Sequence, residues 1–283
     1  MIPPLEKEEK LVNKVKHLLK KAKLPRYLNK FGPKKYAFYE HAFFLLIKTK
    51  FQLSFRRCSK ALVMLGFKAP SKSTLAYQSK KIPLSVWKKI LFLTNEDFVK
   101  LGAIDSTGFS GNNPSWHYVK RINTEKPIKR YFKVSALVDV KNRKFLSIKV
   151  RKTPRHDVLD VKYLMKNSFV KPKVVLLDKG YDSEKLHKYF STQKIFSIAP
   201  VKKNMVRGFY RKNLKRDFPQ KLYNQRSLVE SLFGAIKRKY GGSVSSKKYR
   251  SAVTEVYCKA ILHNIFYFVL KQFRTEPFQS KNI

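Results

Sequence analysis

Three of the few acidic residues in this sequence stand where phosphodiester chemistry would need them. Asp105 and Asp178 each follow a short apolar run, at residues 101–104 and 174–177, so each is predicted to lie at the carboxyl end of a strand, and Glu230 lies in a helical pattern. Carboxylate oxygens are the ligands that Mg²⁺ and Mn²⁺ prefer. If the three carboxylates converge, they would hold two ions that activate the attacking oxygen and stabilise the leaving one.

Each acid also has an ordinary structural explanation. A single Asp at a strand end is commonly a turn or capping residue, as predicted for Asp139 in a hairpin and for Asp182 at the start of a helix. Glu230 would form an i, i+4 ion pair with Arg226, worth roughly 0.3 kcal/mol. The catalytic interpretation therefore depends on the three acids taken together and on the residues around Glu230.

The sequence around Glu230 predicts a helix over residues 225–239, ended by two glycines. Four polar residues, spaced three, four and seven apart, fall on one stripe: Tyr223, Arg226, Glu230 and Lys237. A helix that only packs in a core has no need of a carboxylate between two cations and a phenol. A metal and phosphate site does need them, because the acid binds the ion while Arg and Lys bind neighbouring phosphates.

Hydrophobic periodicity predicts the elements that position these residues. From residue 99 onward, short β-rich runs alternate with helical patterns, which is typical of an α/β domain with a mixed sheet. The predicted strands are residues 131–140, 144–150, 173–178 and 195–200, besides the run that ends at Asp105. The predicted helices are residues 157–166, 183–190, 225–239 and 252–273, with a basic loop at residues 201–220.

Residues 1–98 are predicted to form a separate, all-helical domain that precedes the α/β domain of residues 99–283. Within it, residues 54–82 have the layout of a helix-turn-helix, in which a short helix ends at Gly66 and Ser71 caps a second helix with exposed polar residues. An ordinary helical hairpin fits the same pattern. The strong positive charge of the chain favours the DNA-binding interpretation.

Composition limits the class of partner. The 283 residues include 63 Lys and Arg but only 18 Asp and Glu, so the formal net charge is +45. Such self-repulsion favours a protein that binds a polyanion. There is no run of about eighteen apolar residues and no secretory signal, so we expect no membrane partner and a cytoplasmic, nucleoid-associated protein. Two cysteines, Cys58 and Cys258, cannot form a disulfide framework or a four-ligand zinc site.

These residues resemble the signature of a known family. The Tyr-Arg-Glu-Lys signature of insertion-sequence DDE transposases is matched, in residue type and spacing, by Tyr223-x2-Arg226-x3-Glu230-x6-Lys237. Residues 103–107 and 174–183 resemble the first and second aspartate motifs of the same family. The resemblance extends over about residues 100–270 and implies a ribonuclease-H-like catalytic domain.

The resemblance implies an enzyme that cuts DNA at the ends of an insertion sequence and joins the freed 3′-hydroxyl to target DNA. The catalytic residues, which would hold two Mg²⁺ or Mn²⁺ ions, correspond to Asp105, Asp178 and Glu230. The DNA contacts correspond to Tyr223, Arg226, Lys237 and the neighbouring Arg238. Because the family works as an assembly on two DNA ends, we expect at least a homodimer on DNA.

Three other functions fit parts of the sequence. A nuclease of the same fold would cut DNA without joining it, and a non-catalytic basic DNA-binding protein would need none of the acids. An RNA-packaging protein fits the charge but leaves the acids unexplained. Trp116, in the segment after Asp105, would either stack on a base or pack in the core.

Overall fold

A six-stranded mixed sheet organises the structure, a computed structural model that describes residues 4–28, 30–31, 34–111, 120–121, 131–153, 155–202 and 207–275. Trp116 lies outside the described residues. The strands are β1 (Leu101–Gly111), β2 (Tyr131–Asp139), β3 (Lys144–Arg151), β4 (Val174–Leu177), β5 (Phe196–Ile198) and β6 (Ser243–Val244). Their order is β3-β2-β1-β4-β5, and β6 pairs with the far end of β1. The first three strands are antiparallel, and β4, β5 and β6 extend the sheet in parallel.

Helices precede the sheet and cover both of its faces. Before the sheet lie α1 (Pro4–Lys21), α2 (Phe38–Lys50), α3 (Phe55–Met64), α4 (Lys72–Lys81) and α5 (Leu84–Phe92). After β3 come α6 (Val158–Lys166), α7 (Glu184–Thr192), α8 (Phe209–Arg216), α9 (Gln220–Tyr223), α10 (Ser227–Tyr240) and α11 (Tyr249–Thr275). The mixed sheet and the helical N-terminal part confirm the predicted fold class. No described helix is both long and apolar enough to cross a lipid bilayer.

The sheet is buried on both faces, because helices cover each face and side chains point alternately to one face and the other along each strand. Ala103 and Leu176 belong to a hydrophobic cluster with residues of α10 and α11, on what we call the α10 face. Ile104 and Leu177 belong to a second cluster with residues of α6 and α7, on the α6 face. Burial on both sides explains why the central strands read as continuous apolar runs in the sequence.

The helices α1, α2, α4 and α5 pack against α11, α3 packs against α2 and α4, and all five share the hydrophobic cluster of the α10 face. Leu46 of α2 and Trp87 of α5 are each 1% exposed, and the burial of each such side chain contributes about 2 kcal/mol. One cluster therefore continues from the N-terminal helices to the sheet. The domain boundary near residue 98 stays a prediction.

The predicted helix-turn-helix segment contains α3 and α4. Ser54 and Ser71 cap the two helices, and each side chain accepts a hydrogen bond from the amide three residues later. Gly66 has φ +76°, and its amide bonds to the carbonyl of Val63, which ends α3 in the predicted way. The predicted helix end at Gly66 and the predicted cap at Ser71 are confirmed, while DNA binding by this segment stays a prediction.

Two tyrosines of α11 close the outer edge of β3. The hydroxyl of Tyr249 donates to the carbonyl of Val150 at 2.8 Å, and the hydroxyl of Tyr257 donates to the carbonyl of Ile148 at 2.9 Å. Among the described residues, strand β3 has a neighbouring strand, β2, on one side only. The tyrosines therefore satisfy backbone carbonyls that the sheet leaves unpaired.

Two local predictions for the segment after β4 are wrong. Residues 201–220, predicted to be a loop, contain α8, whose Leu214 is buried; four of its eight residues are cationic, which obscured the apolar pattern. Asp182, predicted to cap α7, does not do so. Ser183 holds the N-cap position, and Asp182 accepts hydrogen bonds from Arg211 instead.

Candidate active site

The register between β1 and β4 brings two acids side by side. Ile104 and Leu177 form the last pair of the parallel ladder, and Asp105 and Asp178 are the residues that follow them. Neighbouring strands lie about 4.8 Å apart, and side chains two residues apart share a face. Both acids therefore start from adjacent backbone positions on the α10 face.

Asp105 does not end its strand, contrary to the prediction. β1 continues to Gly111, because its other edge stays paired with β2, where Asp105 lies opposite Ala136. Only the parallel partner β4 ends at this level, so Asp178 follows a strand end as predicted. The apolar run stops at Asp105 because the strand loses its parallel neighbour there, while its backbone ladder with β2 goes on.

The third acid comes from α10, which packs on the same face. The buried side chains of this helix are Val229, Leu232, Phe233, Ile236 and Tyr240. Glu230 lies in the first turn, and its side chain is 63% exposed. The helix ends as predicted at Gly241, which has φ +81°, and the chain then enters β6 beside β1. Pairing of β6 with β1 thus holds the far end of the helix that carries Glu230.

One guanidinium joins the three acids. Nη1 of Arg226 lies 3.4 Å from Oδ2 of Asp105. Nη2 of Arg226 lies 3.8 Å from Oδ1 of Asp178 and 3.0 Å from Oε1 of Glu230. Arg226 ends the 3₁₀ turn Asn224–Arg226, which leads directly into α10. The sequence pattern predicts only the pair with Glu230, so the contact of Arg226 with all three acids is new information from the fold.

Burial and this contact determine the electrostatics of the site. Burial raises the pKa of Asp105, and the negative charges of Asp178 and Glu230 raise it further. The amide of Ser106, which donates to Asp105 at 2.8 Å, and the positive charge of Arg226 oppose that rise. Burial alone would lower the pKa of Arg226, but Tyr223 and the three acids keep it above its ordinary value. The arginine is therefore a permanent cation among the carboxylates.

The other predicted DNA contacts lie on either side of this cluster. Tyr223 ends α9, and burial raises the pKa of its half-buried hydroxyl. Lys237 lies about two helical turns beyond Glu230, with Nζ 5.5 Å from the centroid of the Phe109 ring. Arg238 is exposed on the same helix. The geometry thus brings Arg226 to the acids and spreads the remaining cations along α10.

An ion pair between Arg211 and Asp182, which we call the brace, lies beside the site and is not indicated by any pattern in the sequence. Arg211 of α8 donates to Asp182 from Nε at 2.8 Å and from Nη2 at 2.7 Å, four residues after Asp178. Burial alone would raise the pKa of Asp182, but hydrogen bonds from Arg211 and from the amide of Lys202 lower it below its ordinary value. These bonds attach α8 next to the end of β4.

The donors suit a hard divalent cation. All three acids offer carboxylate oxygens, and a cationic group already lies among them. Within the described part of the chain, no three His, Cys, Asp or Glu side chains are grouped closely enough to hold an ion as they stand. The carboxylates of Asp105, Asp178 and Glu230 are gathered around the guanidinium rather than around one another.

Residues 100–265 match the family model described as Transposase DDE domain, which is 166 of the 283 residues. No curated protein matches the chain. Among solved structures, the chain is similar to piggyBac transposase, seen by cryo-EM in a synaptic complex with hairpin DNA, at 14% sequence identity. That similarity covers 96% of this chain and 75% of that chain, with a TM-score of 0.49.

Proposed function

The chain belongs to the DDE transposases, enzymes that cut and join DNA, and from that premise we propose its reaction. It cuts DNA at the ends of an insertion sequence and joins the freed 3′-hydroxyl to target DNA. Two divalent ions, Mg²⁺ or Mn²⁺, are held by Asp105, Asp178 and Glu230. The observation that carries the proposal is the convergence of these acids, from β1, β4 and α10, on one cation.

The three acids differ in exposure, and the difference supports distinct roles for their carboxylates in the reaction. Asp105 is 20% exposed and accepts the amide hydrogen bond of Ser106, so it is the most firmly oriented donor. Asp178 and Glu230 are 49% and 63% exposed, so a phosphate can approach from their side. When bound, the ions supply an activated nucleophile and stabilise charge on the leaving oxygen. The protein contributes alignment of the donors before DNA arrives.

DNA binding is assigned to the cations around this centre and to the N-terminal helices. Arg226, Lys237 and Arg238 lie on or just before α10, and Tyr223 lies next to them. The net charge of +45 supports phosphate contacts over a large surface. We assign the element ends to the α3 and α4 segment. Two element ends need two active sites, which supports a homodimer assembled on DNA.

The test is a cleavage and joining assay with the full-length chain. The substrate is a plasmid that carries the DNA flanking its gene on both sides, and a second substrate has a pre-cut end with a free 3′-hydroxyl. With Mg²⁺ or Mn²⁺ the wild type is expected to cut the first and join the second. Asp105→Asn is expected to lower both rates at least about a hundredfold, since it removes an ion ligand.

Asp97→Asn is the matched control, because Asp97 is exposed and lies before β1. It is expected to cut and join like the wild type. Full activity in Asp105→Asn would refute the assignment of the site. Cutting without any joining of the pre-cut end would show a nuclease of the same fold instead.

A further inference from the structure

We propose that the guanidinium of Arg226 occupies the carboxylate site only until a divalent ion binds there. The ion displaces the guanidinium from the three acids, and a DNA phosphate then binds the released guanidinium. The inference rests on the proposed function, because it describes how the same site changes from its metal-free form to its loaded form. It concerns the residue that holds the three acids together in the absence of an ion.

The first argument is the number of acids that one side chain reaches. Its two terminal nitrogens contact carboxylates that come from three different elements, namely β1, the end of β4 and α10. Three carboxylates and one guanidinium leave a formal charge of −2, so the acids are only partly neutralised. A cation of higher charge is therefore favoured over the arginine at the same place.

The second argument comes from a comparison within the molecule. The carboxylates of Asp160 and Asp182, which pair with Arg151 and Arg211, are 1% and 0% exposed, as expected of permanent structural pairs. The partners of Arg226 are 20%, 49% and 63% exposed. Water and ions reach Asp178 and Glu230, and ion pairs of such exposure are weak and easily exchanged.

The third argument is the position of Arg226 in the chain. It ends a 3₁₀ turn between α9 and α10, and it precedes the first residue of α10. The arginine side chain is long and has several rotatable bonds, so its guanidinium can move while the backbone stays in place. Released from the acids, it lies beside the place where a phosphate meets the ions, and guanidinium binds phosphate as well as carboxylate.

Exchange has a thermodynamic consequence. Because the ion and the guanidinium compete for the same oxygens, the arginine weakens ion binding when DNA is absent. A phosphate that holds the released guanidinium removes this competition. Ion binding and DNA binding therefore strengthen each other, and the coupling is reciprocal.

The experiment measures Mn²⁺ binding by the full-length protein without DNA, from the electron paramagnetic resonance signal of free Mn²⁺. Arg226→Ala is expected to bind Mn²⁺ about tenfold more tightly than the wild type, since it removes the competing cation. Arg226→Lys, which keeps the charge but cannot reach the acids with two nitrogens, is expected to lie between them. The thermal shift on adding Mn²⁺ is expected to be largest for Arg226→Ala.

Arg250→Ala is the control, because it removes the same charge from an exposed position in the first turn of α11. Its Mn²⁺ affinity is expected to match that of the wild type. Equal tightening in Arg250→Ala and Arg226→Ala would reduce the effect to net charge and overturn the inference. Unchanged affinity in Arg226→Ala would overturn it as well.

A second measurement is binding to a duplex of arbitrary sequence with and without Mn²⁺ at constant ionic strength. Mn²⁺ is expected to favour DNA binding several-fold more in the wild type than in Arg226→Ala. Asp178→Asn separates the two proposals. Suppose that the wild type binds Mn²⁺ through the acids and cuts DNA, yet Arg226→Ala changes neither the Mn²⁺ affinity nor the effect of Mn²⁺ on DNA binding. Then the proposed exchange is wrong, while the proposed function stands. If the wild type and Asp178→Asn bind Mn²⁺ equally in the presence of DNA and neither cuts it, the proposed function fails together with the exchange.

Discussion

Ile104 on β1 and Leu177 on β4 form the last pair of a parallel ladder, and each is followed by one of the acids assigned to catalysis. The separation of Asp105 and Asp178 is therefore set by strand register, a property of the sheet core. A change that shifts this ladder is expected to act on the site without touching an acid.

Gly102 offers such a change. It pairs with Val175, and a Cβ at this position would lie 2.7 Å from Cγ of Pro172. Gly102→Ala is expected to lower the free energy of unfolding by about 1–3 kcal/mol through overpacking, and to slow DNA cleavage. Gly180→Ala is the control, because no atom lies within 4 Å of the added methyl. Denaturant titration checks the two stabilities, and equal values would contradict the overpacking. Cleavage as fast in Gly102→Ala as in the wild type would contradict the register argument.

The brace between α8 and the end of β4 predicts a second effect. Arg211→Met leaves the buried carboxylate of Asp182 without its two donors from the guanidinium. The loss is expected to cost about 2 kcal/mol of unfolding free energy. Arg216→Met removes an exposed cation from the same helix and is expected to change stability little. Limited proteolysis should cut α8 faster in Arg211→Met, and equal rates would contradict the brace.

The assignment of α4 to DNA binding can be tested by salt dependence. Lys72 is exposed in the first turn of α4. If it contacts a phosphate, Lys72→Ala is expected to reduce the slope of log affinity against log salt by about 1. Lys185→Ala removes the same charge from α7 on the α6 face and should leave the slope unchanged. A fluorescence anisotropy titration at several salt concentrations measures this, and equal slopes in all three proteins would exclude the contact.

Acid is expected to destabilise the fold through buried histidines. Burial lowers the pKa of His263 from 6.5 to about 4; its bond to the carbonyl of Arg143 opposes this, and Lys239 adds to it. The unfolded chain therefore takes up the proton first. The contribution of His263 to the free energy of unfolding is fully present above about pH 6.5. It falls by up to about 3 kcal/mol as the pH decreases to 4.

His263→Gln keeps a donor for the Arg143 carbonyl and is expected to flatten this decrease. His17→Gln, at an exposed position of α1, should show the profile of the wild type. Denaturant midpoints between pH 4 and pH 8 give the comparison. Parallel profiles in all three proteins would show that His263 is not a source of the acid sensitivity.

The acids could be found from the sequence, whereas their shared partner could not. Asp105 and Asp178 stand out because the runs before them are buried on both sheet faces, and Glu230 stands out through helical spacing. The contact between Arg226 and Asp105 joins residues 121 positions apart. Such a contact depends on how α10 lies across the sheet, which no local pattern contains.

The hydrogen bonds of an acidic side chain could be predicted from the sequence where its partner is a near neighbour in the chain. Asp139 accepts hydrogen bonds from the amide and the side chain of Asn142, as expected of a hairpin residue. Asp182 has an equally ordinary local pattern, but its partner Arg211 comes from a different helix. The packing of α5 on α11 was likewise hidden, because an amphipathic helix shows which side is apolar and not what covers it.

The tyrosines on β3 limit how copies of this protein can join. A strand arriving from another chain would find the carbonyls of Ile148 and Val150 already bonded to Tyr257 and Tyr249. Sheet extension across molecules is therefore blocked along this edge, even when many copies crowd on one stretch of DNA. A strand from another copy would have to pair elsewhere, for example along β5 at the other end of the strand order.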